Sequence, residues 1–422
     1  MTSTARAPLR TAARATAAGS WCTAYRVSRF EKWIQPSIDW EQYRAVTVAL
    51  MNGRMAAETP VGPGTSLGVL MLQWLMPGPD PLLHAGSVLS LLTATGSVLL
   101  MWLICRSFLS AGPALVAAWA FGYHPEMTTI ALQPSSDAPF LFFVLLAFWL
   151  DRNGSRWAYA AGGAAALVRY QGGLIVMVLL ARDLIVHRDR IRHALIAAAS
   201  SAPVVIWFFL LQHASGASPY GGASSLIERA FYPKFLLSTG ITILEVFPRP
   251  YRESAIDGDI AALAIAGVIL LTVAALAVFG VFRMLRIDRG TTIVMVVFSL
   301  LLTFLHIRLP FAPGRYVLPI MWVIILTAFV GGEKILDVVA KQGKTAGLRV
   351  AAPAVGVTLV GVTLLKWQPS SASTLWSVVF ATPLLLTLGV MGFGATLKHR
   401  RWIVPASLLV TVLAVLISIS VQ

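Results

Sequence analysis

Val98-Leu99-Leu100-Met101-Trp102-Leu103-Ile104-Cys105-Arg106 closes a run that begins at His84 and holds no Asp, Glu, Lys or Arg before Arg106. A helix rises about 1.5 Å per residue, so a run of this length covers the roughly 30 Å of a bilayer's hydrocarbon core. The spacing predicts a membrane-spanning helix over His84–Cys105, and the arginine at its end predicts a cytoplasmic terminus. The same pattern recurs along the chain.

The 422 residues are 57% hydrophobic and 12% charged, and the mean hydropathy is +0.76; soluble domains carry about 25% charged residues. Exposed backbone in lipid must satisfy its own hydrogen bonds, and the alternating pattern of a membrane barrel is absent. The fold class expected is an all-α polytopic membrane helical bundle of about 11–13 membrane segments. The net charge of +15 does not mark a nucleic-acid binder, because the basic residues lie in short clusters between apolar runs. Cys22 and Cys105 have neither disulfide-framework nor zinc spacing.

Upstream of the first span, Trp40, Tyr43, Val46 and Leu50 share one flank of a helix beginning near Asp39. Leu67–Met76, with a start at Thr65 or Ser66, is too short to span and reads as a re-entrant or interfacial helix. Residues 1–37 read as a basic tail without the apolar core of a signal peptide. Downstream, Ala111–Tyr123 runs outward, His124–Asp137 is a polar exoplasmic segment and Pro139–Leu150 returns. Ala158–Val168 and Gly172–Val186 are two short helices joined by Arg169-Tyr170-Gln171. Ala194–Leu211, Ile260–Phe282, Thr291–Leu305 and Tyr316–Val330 are further segments, and so are Val350–Leu365, Leu375–Leu397 and Trp402–Val421. The basic loops around Asp151–Arg156, Arg182–Arg192, Arg283–Arg289 and Lys334–Arg349 face the cytoplasm. Asp39, Asp137, the 213–259 loop, Arg308 and Arg315 then share the exoplasmic face. The organisation expected is a tail over 1–37 and a transmembrane module over 38–335 with exoplasmic loops 38–83 and 213–259. C-terminal transmembrane helices follow over 336–422.

Acids are scarce, so those on the exoplasmic side are the candidates for chemistry. Asp39 stands where a carboxylate either caps a helix or serves as a general base, and Glu41 follows two residues later. Asp137, in Pro134-Ser135-Ser136-Asp137-Ala138-Pro139, stands where a helix enters the membrane and reads as a cap or a site residue. Arg308 and Arg315 bracket a proline-constrained loop suited to a lipid phosphate, or to headgroup snorkelling. Arg169 lies between two short apolar helices, where a charge needs a partner acid or phosphate. No His/Asp/Glu cluster has metal-ligand spacing, and neither a phosphate-cradling glycine loop nor a nucleophile elbow is present. No motif calls for a cofactor; a divalent metal stays open.

In their order these stretches resemble the GT-C glycosyltransferases, in the protein O-mannosyltransferase-like and aminoarabinose-transferase-like branch. Asp39-Trp40-Glu41-Gln42-Tyr43, with Gly53 ten residues on, is similar to the family's first outer-loop motif. Ser136-Asp137-Ala138-Pro139 is similar to its second outer loop. Ala161–Gly172, through Arg169, is similar to its short-helix hairpin with a basic turn, and Gly314-Arg315-Tyr316-Val317-Leu318-Pro319 to its late Arg-Tyr-x-x-Pro element. The resemblance covers about residues 36–335. It implies transfer of a sugar from a polyprenyl-phosphate donor to an exoplasmic glycan, lipid or protein hydroxyl, with Asp39 as general base, in the plasma membrane. Two features depart from the family pattern: Trp40 stands where a second acid is usual, and residues 1–37 carry no span ahead of the motif. Two other readings are a transporter or flippase of lipid-linked glycans, which would carry charges at the bilayer midplane, and a catalytically inactive GT-C-like subunit.

Overall fold

The structure is a computed structural model and describes residues 39–55, 61–76, 80–122, 124–186, 189–215, 260–306 and 314–342. The basic tail, residues 216–259 of the large polar loop, Arg308 and the three C-terminal spans lie outside the described residues. Among the described residues the secondary structure is helical throughout, with no strand. The helices are α1 (Trp40–Met51), α2 (Pro63–Gln73), α3 (Pro81–Arg106), α4 (Ala111–Gly122), α5 (Pro125–Leu132), α6 (Asp137–Arg152) and α7 (Trp157–Val168). A 3-10 turn at Tyr170–Gly172 leads into α8 (Gly173–Val186). Then come α9 (Arg190–Ser215), α10 (Ile260–Ile287), α11 (Arg289–His306) and α12 (Gly314–Gln342).

Pro81–Arg106, Arg190–Leu211 and Val317–Ile335 are long and apolar enough to cross a membrane. α5 and α6 together form a fourth candidate, bent by 114° at the break between them. The 12-residue helices α4 and α7 extend only about 18 Å at 1.5 Å per residue, so neither crosses alone. The chain is a polytopic all-α membrane protein.

Two expectations need correction. α2 begins at Pro63 rather than at Thr65 or Ser66, because a proline at the first helical position has its φ pre-set and lacks an N–H that would be unpaired anyway. The segment His124–Asp137 is not polar throughout. It contains α5, whose Met127, Ile130 and Ala131 are buried. Pro125 opens the helix, and the His124 ring accepts the Glu126 N–H at 3.2 Å. The apolar 127/130/131 spacing turns one flank inward, which the polar flanking residues conceal.

The chain divides into two units, Met1–Thr239 with Met284–Val323, and Gly240–Arg283 with Ile324–Gln422. In the first unit α3 packs against α2, α4, α5 and α6, and α6 also packs against α7. Glycines let these helices close: Gly96 receives the Phe142 ring, and Gly163 abuts the Ser200 carbonyl. Phe148 stacks near Phe298 and Trp322, with ring centroids 5.5 and 5.0 Å away. In the second unit α10 and α12 approach backbone to backbone, Gly280 against the Thr327 carbonyl and Gly331 against that of Leu276.

Several ion pairs of the first unit lie at the two ends of α6. At its C-terminal end Arg182 lies 2.7 Å from both Asp151 and Asp183. The Tyr159 hydroxyl donates to Asp183 at 2.8 Å, and His193 Nδ1 is 3.0 Å from the same carboxylate. Arg152 pairs with Asp288 at 2.8 Å, while Asp288 also accepts the Thr291 N–H at the start of α11. Between Ala138 and Leu150 α6 carries no charged residue.

Candidate functional site

The other end of α6 is where the sequence candidates meet. α1 is the first component. Its buried side is Trp40, Tyr43, Val46 and Thr47, the flank that the spacing selects. The Trp40 ring fills the space over Gly86 of α3 and against Pro134, and packs with Tyr43, Val69 and Ala85. The helix stops by geometry: Gly53 takes φ +62°. Its N–H donates to Leu50 O at 3.0 Å, and that of Arg54 to Ala49 O at 2.8 Å, the double bond of a Schellman ending.

Asp39 occupies the N-cap position, yet its side chain makes no capping hydrogen bond. It is half-buried, and its carbonyl accepts the Tyr43 N–H at 3.3 Å. One turn apart, Asp39 and Tyr43 share a flank. Glu41 lies about 200° around the helix from Asp39 and is exposed. There it lines an open groove of about 510 Å³ with Arg44, Val48, Asn52 and Arg54. Trp40 is buried while Glu41, about 100° further round α1, is exposed, so the departure of position 40 from an acid is a packing feature. Arg44 reaches Asp80 at 3.6 Å, and Asp80 accepts the Leu83 N–H at 3.1 Å to start α3.

The break between α5 and α6 is the second component. Ser90 of α3 holds it, accepting the Ser135 N–H at 3.2 Å. The Tyr43 hydroxyl donates to Ser136 Oγ at 2.6 Å, in a buried contact spanning 93 residues of sequence. Asp137 follows at once as the first residue of α6 and is 5% exposed.

The hairpin of α7 and α8 is the third. Arg169 has extended backbone between α7 and the 3-10 turn, and its guanidinium pairs with the Asp137 carboxylate. The partner acid that the sequence demanded for Arg169 is therefore Asp137. Gly62 and Gly64, at the start of α2, lie against the Leu167 and Val168 backbone just before it. Tyr170 packs beside Val46, Trp207 and Leu211, and Trp207 donates to the Val61 carbonyl at 3.2 Å.

Of the sequence candidates, Asp137 and Arg169 are in direct contact, and Tyr43, one turn along α1 from Asp39, reaches Ser136 beside them. Glu41 faces away. Arg315 falls in the first turn of α12, with its side chain outside the description, as is all of Arg308. The sequence reading missed Tyr43 and Ser136 as contacts. The available signal was Tyr43 on the buried flank of α1, and a serine preceding the only acid of its segment after Glu126.

No family model and no curated protein matches the chain. Among solved structures, ArnT from Cupriavidus metallidurans bound to undecaprenyl phosphate is similar over 98% of this chain and 75% of its own. The TM-score is 0.51 at 13% identity. The archaeal oligosaccharyltransferase AglB from Archaeoglobus fulgidus, in complex with an inhibitory peptide and a dolichol-phosphate, is similar over 90% of this chain, with TM-score 0.50 at 11% identity. This chain spans 56% of that one's length. The chain shares its overall fold with these two structures.

Proposed function

We propose that this protein is an integral-membrane glycosyltransferase that moves a sugar from a polyprenyl-phosphate donor to an acceptor hydroxyl on the exoplasmic face of the plasma membrane. The observation that carries the reading is the joining of Asp39, Ser136, Asp137 and Arg169 at one end of a GT-C fold, through the Tyr43–Ser136 hydrogen bond and the Asp137–Arg169 ion pair. In this reading the acceptor oxygen attacks the anomeric carbon while Asp39 takes its proton. The bond from that carbon to the phosphate oxygen breaks, and its electron pair leaves with the lipid phosphate. Arg169, Arg308 and Arg315 are the proposed partners of the charge that collects on the phosphate, a role suited to guanidinium donors. Asp137 holds Arg169 in place before the donor arrives, and Glu41 borders the acceptor side.

A transporter of lipid-linked glycans would place charges at the bilayer midplane. The uncharged middle of α6, between ion pairs at its two ends, favours the transferase.

The test supplies radiolabelled polyprenyl-phosphate sugars to membranes containing the protein. Transfer of one label to a non-lipid-phosphate product, lost in Asp39→Asn, supports the reading. Absence of transfer from every donor, with the protein shown to be folded, overturns it.

A further inference from the structure

Tyr43 makes hydrogen bonds through its hydroxyl, its carbonyl and its N–H. Its hydroxyl donates to Ser136 Oγ at 2.6 Å. Its carbonyl accepts the Ser66 hydroxyl of α2 at 3.1 Å and that of Thr47 at 2.7 Å. Its N–H donates to the carbonyl of Asp39 at 3.3 Å. The ring is 5% exposed and packs with Trp40, Val69 and Ala85. One residue thus joins α1, α2 and the α5–α6 break, and the next residue along that break, Asp137, holds Arg169.

We infer that Tyr43 is a positioning residue: its hydrogen bond to Ser136 fixes the register between the Asp39 turn and the Asp137–Arg169 pair. This rests on the transferase reading above. A proton acceptor and a leaving-group partner on separate segments react productively only when held within a fraction of an ångström of the right geometry, and small misplacements far from the reacting atoms slow turnover by up to about a hundredfold. A hydroxyl pair is well suited to set such a register, because it has one short distance whereas apolar packing tolerates sliding.

Tyr43→Phe keeps the packed ring and removes only the hydroxyl. The expected result is a fall in kcat of about 10–100-fold with donor KM within about twofold of wild type. Ser136→Ala should do the same, Ser136→Thr should restore turnover, and the double variant should be no slower than either single one. Multiplying effects in the double variant, or unchanged kcat in Tyr43→Phe, would overturn the inference. A second measurement does not depend on turnover: amide hydrogen exchange. Loss of a hydrogen bond worth about 1 kcal/mol raises local opening about fivefold. Exchange in Tyr43→Phe should therefore rise in both residues 40–51 and residues 134–140. A rise in one segment without the other would sink the coupling. Were wild-type membranes to move no label, the transferase reading would fall while the exchange result still decided whether Tyr43 ties the two segments.

Discussion

Asp137 and Arg169, the first residue of α6 and the residue that ends α7, form an ion pair whose side chains are 6% and 12% exposed. Such a pair is weak evidence of net stability, because both charges must leave water, but removing one partner leaves the other buried. Asp137→Asn and Arg169→Gln are each expected to lower stability by about 3–5 kcal/mol. The double variant should recover much of that, since no charge is then left behind. Thermal unfolding of the four proteins in detergent gives the cycle. Additive losses would mean that each side chain relies on other contacts.

The opposite end of α6 has a different logic. Arg182 stands between Asp151 and Asp183, two carboxylates that face each other without it. Arg182→Met is expected to cost about 3–5 kcal/mol. Tyr159→Phe removes only one hydroxyl bond to Asp183 and should cost about 1 kcal/mol. An equal loss in both variants would show that the acids are already screened by water.

How much of this could be read beforehand varies with the physics of each feature. The three long spans were legible because transfer into lipid is a sum over residues, and a long uncharged run such as His84–Cys105 has only one outcome. α1 was legible through its 40/43/46 spacing, and the hairpin around Arg169 through the length of its two helices. The need of Arg169 for a partner followed from the price of a lone buried charge, but the choice of Asp137 did not. That choice depends on how α6 and α7 pack, 32 residues apart, which a pattern of local periods does not encode. α5 was hidden because its inward flank is only three apolar residues wide. Tyr43 read as core, since an aromatic at helical spacing says nothing about where its hydroxyl ends.

Orientation can be tested at exposed positions. Residue 137 is too buried to take a label, whereas Glu41 is exposed and Trp157, beside the basic loop, is 74% exposed. With Cys22 replaced by serine and the buried Cys105 left in place, Glu41→Cys should react with an impermeant maleimide in intact cells. Trp157→Cys should react only after permeabilisation, as the basic loops direct. The reverse pattern would invert the protein and place Asp39 in the cytoplasm.

The second unit offers a matched pair of neighbouring glycines. Gly331 lies against the Leu276 carbonyl, so a Cβ there meets backbone, while a Cβ on Gly332 meets nothing within 4 Å. Gly331→Val should push α10 and α12 apart and destabilise by at least the roughly 1–3 kcal/mol of an overpacked site. Gly332→Ala should be neutral or stabilise by about 0.5–1 kcal/mol, through the lower entropy of the unfolded chain. Tolerance of Gly331→Val would mean that the two helices do not pack at this crossing.

The assignment of the general base turns on which side of α1 each acid occupies. Asp39 shares a flank with Tyr43, and Tyr43 reaches Ser136 beside Asp137. Glu41 points to the open groove with Arg44 and Arg54, on the far side of a helix whose buried face is fixed by Trp40. A base must come within hydrogen-bond reach of the acceptor proton while the sugar lies near the phosphate partners, so the proposed base is the acid on the flank of Tyr43. Asp39→Asn keeps size and much of the hydrogen bonding while removing basicity, so turnover should fall by about 10²–10⁴, the range of general base catalysis. Protein level and donor affinity should stay near wild type, because asparagine keeps the size of the side chain and suits an N-cap position as well as aspartate does. Glu41→Gln should retain turnover and change acceptor KM at most, since it borders the groove without facing Asp137. An active Asp39→Asn beside a dead Glu41→Gln would move the base to Glu41 and place the reaction on the outer side of α1. If both variants turned over normally in membranes shown to transfer sugar, no acid of the first outer loop would be the base. The seating of α1 by Trp40 and Tyr43 would then be a matter of folding alone.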